Sequence, residues 1–217
     1  GTVFKGSPFR VFHPQYSVSK RRSVSSHRKK TVLISLGGGS DKGFSKKLID
    51  EILRRFKEIR VLFIQGPAQE KIKLSRNING HSLTVLGPQA SLAPWLRRSS
   101  VAMTAGGGTL YDLAHLGVPG IAVAKKEHQK RNIQFFAREG TVLYAGDSLS
   151  RESARKAASL LEHLIDNKRK YKAMARAGRR LVDGGGTHRV IHIIEQMLPL
   201  LYERKLRKGL RGDKIQS

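Results

Sequence analysis

The chain contains no cysteine among its 217 residues. This absence excludes a disulfide framework, a cysteine-ligated zinc site, an iron–sulfur cluster and a thiol nucleophile. Acidic residues are also scarce, with 16 Asp and Glu against 42 Lys and Arg. No stretch reaches the roughly 18 uncharged apolar residues that a membrane-spanning helix needs, so the sequence predicts no such span.

The formal charge of +26 indicates affinity for an anionic partner, which can be nucleic acid, a membrane surface or a phosphorylated metabolite. The excess is concentrated at the two ends. Residues 1–30 carry eight basic residues and no acid, and residues 202–217 carry six basic and two acidic residues. Aromatic residues make up only 6% of the chain, and neither a base-stacking platform nor a recognition-helix motif is evident. Nucleic acid is therefore the less favoured partner.

Composition divides the chain into three parts. Residues 1–30 are interpreted as a basic linker that leaves a preceding domain, residues 31–201 as a globular domain and residues 202–217 as a basic tail. The alternative for the first part is a transit peptide, because it is rich in Arg and Ser and has no acid. It lacks a clear amphipathic helix, so the linker is favoured.

Short apolar runs alternate with helical patterns from residue 31 onward. Such alternation predicts βαβ units and an α/β fold, namely a Rossmann-like, doubly wound parallel sheet of about six strands with a helical C-terminal tail. The predicted strands are 31–36, 60–65, 82–86, 101–104, 120–124 and 141–144. The predicted helices are 44–56, 70–75, 92–97, 110–116 and 129–138, followed by a helical tail from Arg151.

Three of these strands end in loops that suit a phosphate ligand: residues 37–43, 106–109 and 125–132. Ligands of open α/β sheets lie outside the carboxyl ends of the strands. Glycine lets a backbone approach a phosphate, and the free N–H groups at a helix start attract its charge. Two Gly-rich turns at one crevice therefore predict a diphosphate site. The alternative is that tight strand-to-helix turns need glycine for their own geometry.

Neither G-x-G-x-x-G nor the P-loop motif is present, which disfavours a dinucleotide site and excludes a P-loop ATPase. Asp112 has two interpretations. In a capping box, Thr109 caps a helix and Asp112 bonds back to it; in a ligand site, Asp112 accepts from ribose hydroxyls. His188 and His192 have metal-ligand spacing, but Arg189 lies between them and a solvated or packing pair is favoured. The sequence predicts no metal and no cofactor.

The combined pattern resembles the C-terminal half of a GT-B glycosyltransferase-like protein over about residues 30–198. The run LGGGSD at 36–41 is similar to the first Gly-rich loop of that half. The segment TAGGGTLYDLAHLGVP at 104–119, with the following His128, Gln129 and Asn132, is similar to its donor-binding signature. The nearest group contains the UDP-sugar hydrolases of the pseudaminic acid pathway and proteins of spore-coat and surface polysaccharide synthesis. The peptidoglycan UDP-N-acetylglucosamine transferases come next.

The resemblance implies a UDP-sugar in the crevice, and it carries over to these residues by motif. Gly38, Gly39, Ser40 and Asp41 lie near the donor or face the other half of the protein. Gly106, Gly107, Gly108 and Thr109 hold the diphosphate, and Asp112 stands where the family usually has a Glu for the ribose. Gln129 and Asn132 contact the sugar, and His128 flanks it. By analogy, the uracil rests on backbone near residues 86–92.

GT-B proteins carry the acceptor site and the catalytic base in an N-terminal domain, which nothing in residues 1–30 resembles. The chain is therefore predicted to be the UDP-sugar-binding domain of a glycosyltransferase or UDP-sugar hydrolase of surface polysaccharide synthesis. A missing N-terminal domain, or a partner subunit as in the eukaryotic dolichol-linked transferase, completes it. We expect a cytoplasmic protein whose basic ends reach the inner face of the membrane. The alternative function is a non-catalytic basic module that binds RNA or an anionic membrane on the same fold.

Overall fold

The fold is described from a computed structural model of the chain. The structure describes residues 3–16, 30–69, 71–72, 77–78, 80–147 and 149–212, with 77–78 and 200–212 as backbone only. The basic run at 17–29, most of the predicted helix at 70–75 and residues 213–217 lie outside the described residues.

A seven-stranded sheet forms the centre of the described part of the chain. Its strands are β1 (Thr31–Ser35), β2 (Arg60–Ile64), β3 (Asn77–Ile78), β4 (His81–Leu86), β5 (Val101–Ala105), β6 (Gly120–Val123) and β7 (Val142–Gly146). The order across the sheet is β3-β4-β2-β1-β5-β6-β7, and every pair is parallel except β3 with β4. All six predicted strands are confirmed, and β3 is an unpredicted edge strand.

The six parallel strands have the doubly wound order, in which the direction of winding reverses between β1 and β5. Helices follow the strands on both faces: α1 (Phe44–Arg55), α2 (Ala93–Leu96), α3 (Thr109–Leu116), α4 (Glu127–Arg138), α5 (Arg151–Asp166), α6 (Lys168–Leu181) and α7 (Gly186–Gly212). The helical tail predicted from Arg151 is confirmed, and α7 continues through Pro199.

Two apolar layers enclose the sheet because successive side chains of a strand point to opposite faces. Val32 and Ile34 lie in the layer that contains the buried faces of α1 and α5, whereas Leu33 lies in the layer with α2 and α3. All five residues of β1 are buried, and so are all five of β5. The uninterrupted apolar runs of the sequence are thus central strands covered on both sides.

Residues 3–16 pack against the domain on the side of α3 and the start of α7. Tyr16 is buried, and the ring of Phe12 stacks on His115 at a centroid distance of 4.7 Å. Arg189 donates a 2.9 Å hydrogen bond to the carbonyl of Pro8. A Cβ on Gly186 would lie 2.2 Å from the carbonyl oxygen of Arg10, so the first turn of α7 tolerates only glycine there.

Candidate functional site

The three loops predicted to form the site meet at the carboxyl edge of the sheet. The ammonium of Lys125, after β6, donates hydrogen bonds to the carbonyls of Leu36 at 3.2 Å and Gly39 at 2.9 Å, after β1. The side-chain amide of Asn132, on α4, donates a 2.7 Å hydrogen bond to the carbonyl of Gly106, after β5. The loops after β1, β5 and β6 therefore form one crevice at the switch point of the sheet.

The loop after β1 presents backbone to solvent and turns its acid inward. Gly38, Gly39 and Ser40 are exposed, whereas Asp41 is only 2% exposed. The Asp41 carboxylate accepts hydrogen bonds from the backbone N–H groups of Gly43 at 3.1 Å and Ser45 at 3.2 Å, and from the Ser45 hydroxyl. Asp41 thus closes the start of α1 by satisfying N–H groups that have no partner within the helix.

The loop after β5 leads directly into α3. Gly108 is the N-cap, no side chain caps the helix, and Thr109 is its first residue. The capping-box interpretation of Thr109 and Asp112 is therefore wrong, because glycine takes the N-cap position one residue before the predicted one. A Cβ on Gly107 would meet nothing within 4 Å, so the space in front of this turn is open. Within the described residues, the N–H groups of Gly107, Gly108 and Thr109 have no hydrogen-bond acceptor.

Asp112 lies one turn into α3 with a side chain that is only 13% exposed. Burial raises the pKa of its carboxyl group, and the nearby Arg10 guanidinium and Tyr16 hydroxyl oppose that rise. The Arg10 Nη2 atom lies 3.7 Å from the carboxylate. The pKa of Tyr16 is raised in turn, by its burial and by the negative charge of Asp112.

Arg10 is a residue of the site that sequence reasoning missed. Its guanidinium lies over the rings of Phe12 and Tyr111, at 5.6 and 5.5 Å from their centroids. A Cβ on Gly108 would lie 3.2 Å from its Nη2 atom. Arg10 thus stands beside the first turn of α3, with one face on aromatic rings and one end toward Asp112. Its only sequence signal was an isolated arginine in an aromatic stretch.

A cavity of about 180 Å³ opens beside Asp112. Its walls come from the N-terminal segment, from the loop before α2 and from α3: Arg10, Phe12, His13, Tyr16, Gln89, Ala90, Ser91, Leu92 and Asp112. The loop before α2 is the segment expected to hold a base. The cavity joins it to the acid expected to hold a ribose.

The three predicted residues of the loop after β6 have different surroundings. His128 is exposed on the first turn of α4. The side-chain oxygen of Gln129 accepts a 2.9 Å hydrogen bond from the backbone N–H of Lys125, and Asn132 bonds to Gly106 as described above. A Cβ on Gly106 would lie 2.5 Å from the carbonyl oxygen of Gln129. Gln129 and Asn132 therefore fix α4 against the Gly-rich turn, in a contact close enough to require glycine at position 106.

The two histidines of α7 lie outside this crevice, and both are exposed. His192 makes a 2.9 Å side-chain hydrogen bond with Gln196, one turn further along the helix. No helix within the described residues is both long and apolar enough to cross a membrane.

The doubly wound sheet, with glycine-rich loops at its switch point, is the architecture expected of the Rossmann-like half of a GT-B protein. Residues 33–190 match the sequence model of the glycosyltransferase family 28 C-terminal domain, and the chain belongs to that family. The resemblance inferred from the motifs is thereby confirmed.

Two relatives illustrate the family. The chain is 25% identical to the spore coat polysaccharide biosynthesis protein SpsG of Bacillus subtilis, over 94% of this chain and 60% of SpsG. It is 29% identical to the UDP-N-acetylglucosamine–N-acetylmuramyl-(pentapeptide) pyrophosphoryl-undecaprenol N-acetylglucosamine transferase of Pseudomonas fluorescens, over 76% of this chain and 48% of the transferase. The chain thus spans 48% to 60% of the length of these relatives.

Solved structures show the same fold. The crystal structure of Acinetobacter baumannii MurG matches with a TM-score of 0.61 and 16% identity, over 85% of this chain and 52% of MurG. The co-structure of S. aureus MnaA with UDP matches with a TM-score of 0.57 and 15% identity, over 89% of this chain and 49% of MnaA.

We expect a carbon NMR titration to place the pKa of Asp112 above the ordinary aspartate value, and to place it higher still in Arg10→Met. Arg10 is the strongest of the groups that oppose the effect of burial, so its removal leaves the charged carboxylate less stable. Since the folded-state pKa is raised, the contribution of Asp112 to the free energy of unfolding falls as pH rises from about 3.9 toward the folded value.

Asp183 is the internal control for this titration. Its hydrogen bonds from Arg189 and from the Gly185 backbone hold its pKa below the ordinary range, and Arg10→Met should leave it unchanged. An Asp112 pKa that stays constant or falls in Arg10→Met would contradict the ion pair.

Proposed function

We propose that the chain is the donor-binding half of a GT-B glycosyltransferase or UDP-sugar hydrolase of glycan biosynthesis, and that it binds a UDP-sugar in the switch-point crevice. The observation that carries this proposal is the cavity beside Asp112, which lies one helical turn from the open N–H groups of Gly107, Gly108 and Thr109. A nucleoside diphosphate has the matching sequence of groups, with hydroxyls next to a diphosphate.

The nucleoside occupies the cavity in this proposal. The base lies against residues 89–92, and the ribose hydroxyls donate to the Asp112 carboxylate, which offers several acceptor sites. An Asp is one methylene shorter than the usual Glu, and the surrounding groups suit the shorter side chain. Arg10 and Tyr16 hold the carboxylate from the N-terminal segment, so it has a defined position at the cavity wall.

The diphosphate lies in front of α3. Backbone N–H groups at a helix start attract anions, and the open space at Gly107 admits a phosphate close to the backbone. The sugar then extends toward the exposed residues Gly38, Gly39, Ser40 and His128. Gln129 and Asn132 reach the sugar only by sharing the hydrogen bonds that now connect α4 to the neighbouring loops.

Calorimetry with UDP, UDP-N-acetylglucosamine and NADH tests the binding. We expect both uridine nucleotides to bind and NADH not to bind. Asp112→Asn should weaken the binding of UDP by about tenfold or more, since hydrogen bonds to a charged group contribute about 1.5–3 kcal/mol.

The matched control is Asp166→Asn, which removes an exposed carboxylate that pairs with Lys30 away from the cavity. It should leave the affinity for UDP unchanged. A preference for NADH, or equal effects of the two substitutions, would contradict the proposal.

The group that activates the acceptor belongs to the other half of the protein in this proposal. Attack at the sugar carbon needs a base on the face opposite the leaving diphosphate, whereas the turns described here contact the leaving group. His128 flanks the sugar from the diphosphate's own side.

We therefore expect the chain alone to release no UDP from a panel of UDP-sugars, in an assay run with and without a candidate N-terminal half. If the chain alone released UDP, and His128→Ala abolished that release, the catalytic group would lie in this half.

A second candidate function, binding to an anionic membrane, rests on the exposed face of α6. Six basic side chains lie within an arc of about 120° of this helix, at 100° per residue. They are Lys168, Arg169, Lys172, Arg176, Arg179 and Arg180, all exposed, and none forms an ion pair within the described residues. The exposed apolar residues Ile191, Ile194, Met197 and Leu198 of α7 suit the acyl boundary of a membrane.

We expect vesicles that contain anionic phospholipid to bind the chain in a salt-dependent manner. Each basic residue near such a surface contributes about 1 kcal/mol. A triple substitution to Gln at Lys172, Arg176 and Arg180 should therefore weaken binding strongly.

The matched control makes the same change of charge on Lys46, Lys47 and Lys57, which are exposed elsewhere. Equal effects of the two triple variants would show a nonspecific attraction. A defined RNA that binds more tightly than the vesicles, and keeps its affinity at high salt, would favour the RNA-binding module instead.

A further inference from the structure

The side chain of Lys125 crosses the carboxyl end of β5. Lys125 follows β6, and the two carbonyls that its ammonium contacts follow β1. Strand β5 lies between β1 and β6, and neighbouring strands are about 4.8 Å apart, so the side chain bridges a gap of about 10 Å. Its ammonium therefore lies at the switch point, beside the Gly-rich turn that leads into α3.

The ammonium of Lys125 contacts neutral groups rather than a carboxylate. Within the described residues, no carboxylate lies within 4.0 Å of Lys125, and the two groups that accept its hydrogen bonds are neutral carbonyls. Burial lowers the pKa of Lys125, while the more distant Asp41 carboxylate partly opposes that effect and the Lys126 ammonium adds to it. A half-buried cation without a counter-ion is unfavourable, so the site attracts an anion.

The ammonium also has a hydrogen-bond donor to spare. Lysine has three N–H groups, and two of them serve the Leu36 and Gly39 carbonyls. The backbone N–H of Lys125 donates a hydrogen bond to the side-chain oxygen of Gln129, which fixes the position of the Lys125 backbone. The third N–H can reach a ligand without loss of either existing bond.

We propose that Lys125 binds the diphosphate of the donor and neutralises part of its charge, on the side of the crevice away from Arg10. This inference rests on the proposed function. The N–H groups of Gly107, Gly108 and Thr109 contact the diphosphate from the helix, and Lys125 contacts it from the loop after β6.

The competing explanation is that Lys125 is a purely structural link between the loops after β1 and β6. A link needs hydrogen-bond donors, whereas a diphosphate ligand needs the positive charge. Lys125→Gln keeps a donor and removes the charge, and Lys125→Arg keeps both. Lys126→Gln is the matched control, because Lys126 is the exposed neighbour and loses the same charge.

The experiment measures the affinity for UDP by calorimetry and the affinity for uridine by NMR titration, on the full chain and on these three variants. We expect Lys125→Gln to weaken the binding of UDP by about tenfold to a hundredfold, in keeping with the loss of a charged hydrogen bond. We expect it to leave uridine unchanged. Lys125→Arg should stay within a few-fold of the original affinity for UDP, and Lys126→Gln should have little effect. Thermal unfolding of each variant checks that it folds.

Three outcomes would overturn the inference. If Lys125→Gln bound UDP as the original chain does, the charge would not be needed. If it weakened uridine and UDP equally, or if Lys125→Arg lost UDP as fully as Lys125→Gln, Lys125 would be a structural link. In all three cases the original chain still binds UDP and the proposed function stands. If the original chain bound no UDP at all, the proposed function itself would fail, and this inference with it.

Discussion

The parallel pairing of β1 with β5 is the constraint on which the candidate site depends. Val32 to Ser35 pair in register with Val101 to Thr104, so the two strands end at the same level. The chain must then leave both strands on the same edge, and the Gly-rich turns at 37–39 and 106–108 emerge side by side. Strand β6 pairs with the other side of β5 and brings Lys125 and α4 to the same place. Three segments that are far apart in sequence become neighbours without any contact between their side chains being required.

The two ends of the candidate site differ in charge. At the end that the proposed function assigns to the nucleoside, the mostly buried Asp112 is an acceptor for neutral hydroxyl donors, and Arg10 keeps its charge from being isolated. At the other end, the open turn of α3 and the ammonium of Lys125 favour an anion. A nucleoside diphosphate has the same order of groups. The net charge of +26 attracts many anions, whereas this order selects among them.

Much of the fold could be predicted because most of the six parallel strands are short apolar runs followed by a helical pattern. The edge strand β3 could not, since Asn77 and Ile78 form no apolar run and pair only because β4 lies beside them. The capping box, one of the two interpretations of Asp112, is wrong because Gly108 takes the cap position. Arg10 has only a weak local signal, an isolated arginine in an aromatic stretch. It joins the site through the packing of residues 3–16, which depends on contacts with residues about one hundred positions later.

The loops after β1 and β6 show a finer limit of sequence reasoning. The motif predicts that Asp41, Gln129 and Asn132 lie near the ligand, and in the structure each of these side chains already makes hydrogen bonds within the protein. Asp41 completes the start of α1, and Gln129 and Asn132 fasten α4 to the loops beside it. A motif records which residue types recur together. It does not distinguish a group that contacts a ligand from one that shapes the backbone around it.

Residues 3–16 help to form the cavity, yet they lie outside the span that the family model matches. The family model matches residues 33–190. The walls of the cavity include earlier residues, because Arg10, Phe12 and Tyr16 form one of them. Gly186, at the start of α7, lets the backbone of that wall approach the helix closely. A piece of the chain trimmed to residues 33–190 would keep the glycine-rich turns at 37–39 and 106–108, but it would lose the wall of the cavity that Arg10, Phe12 and Tyr16 form. The span that the family model matches is thus shorter than the span that builds the walls of this cavity.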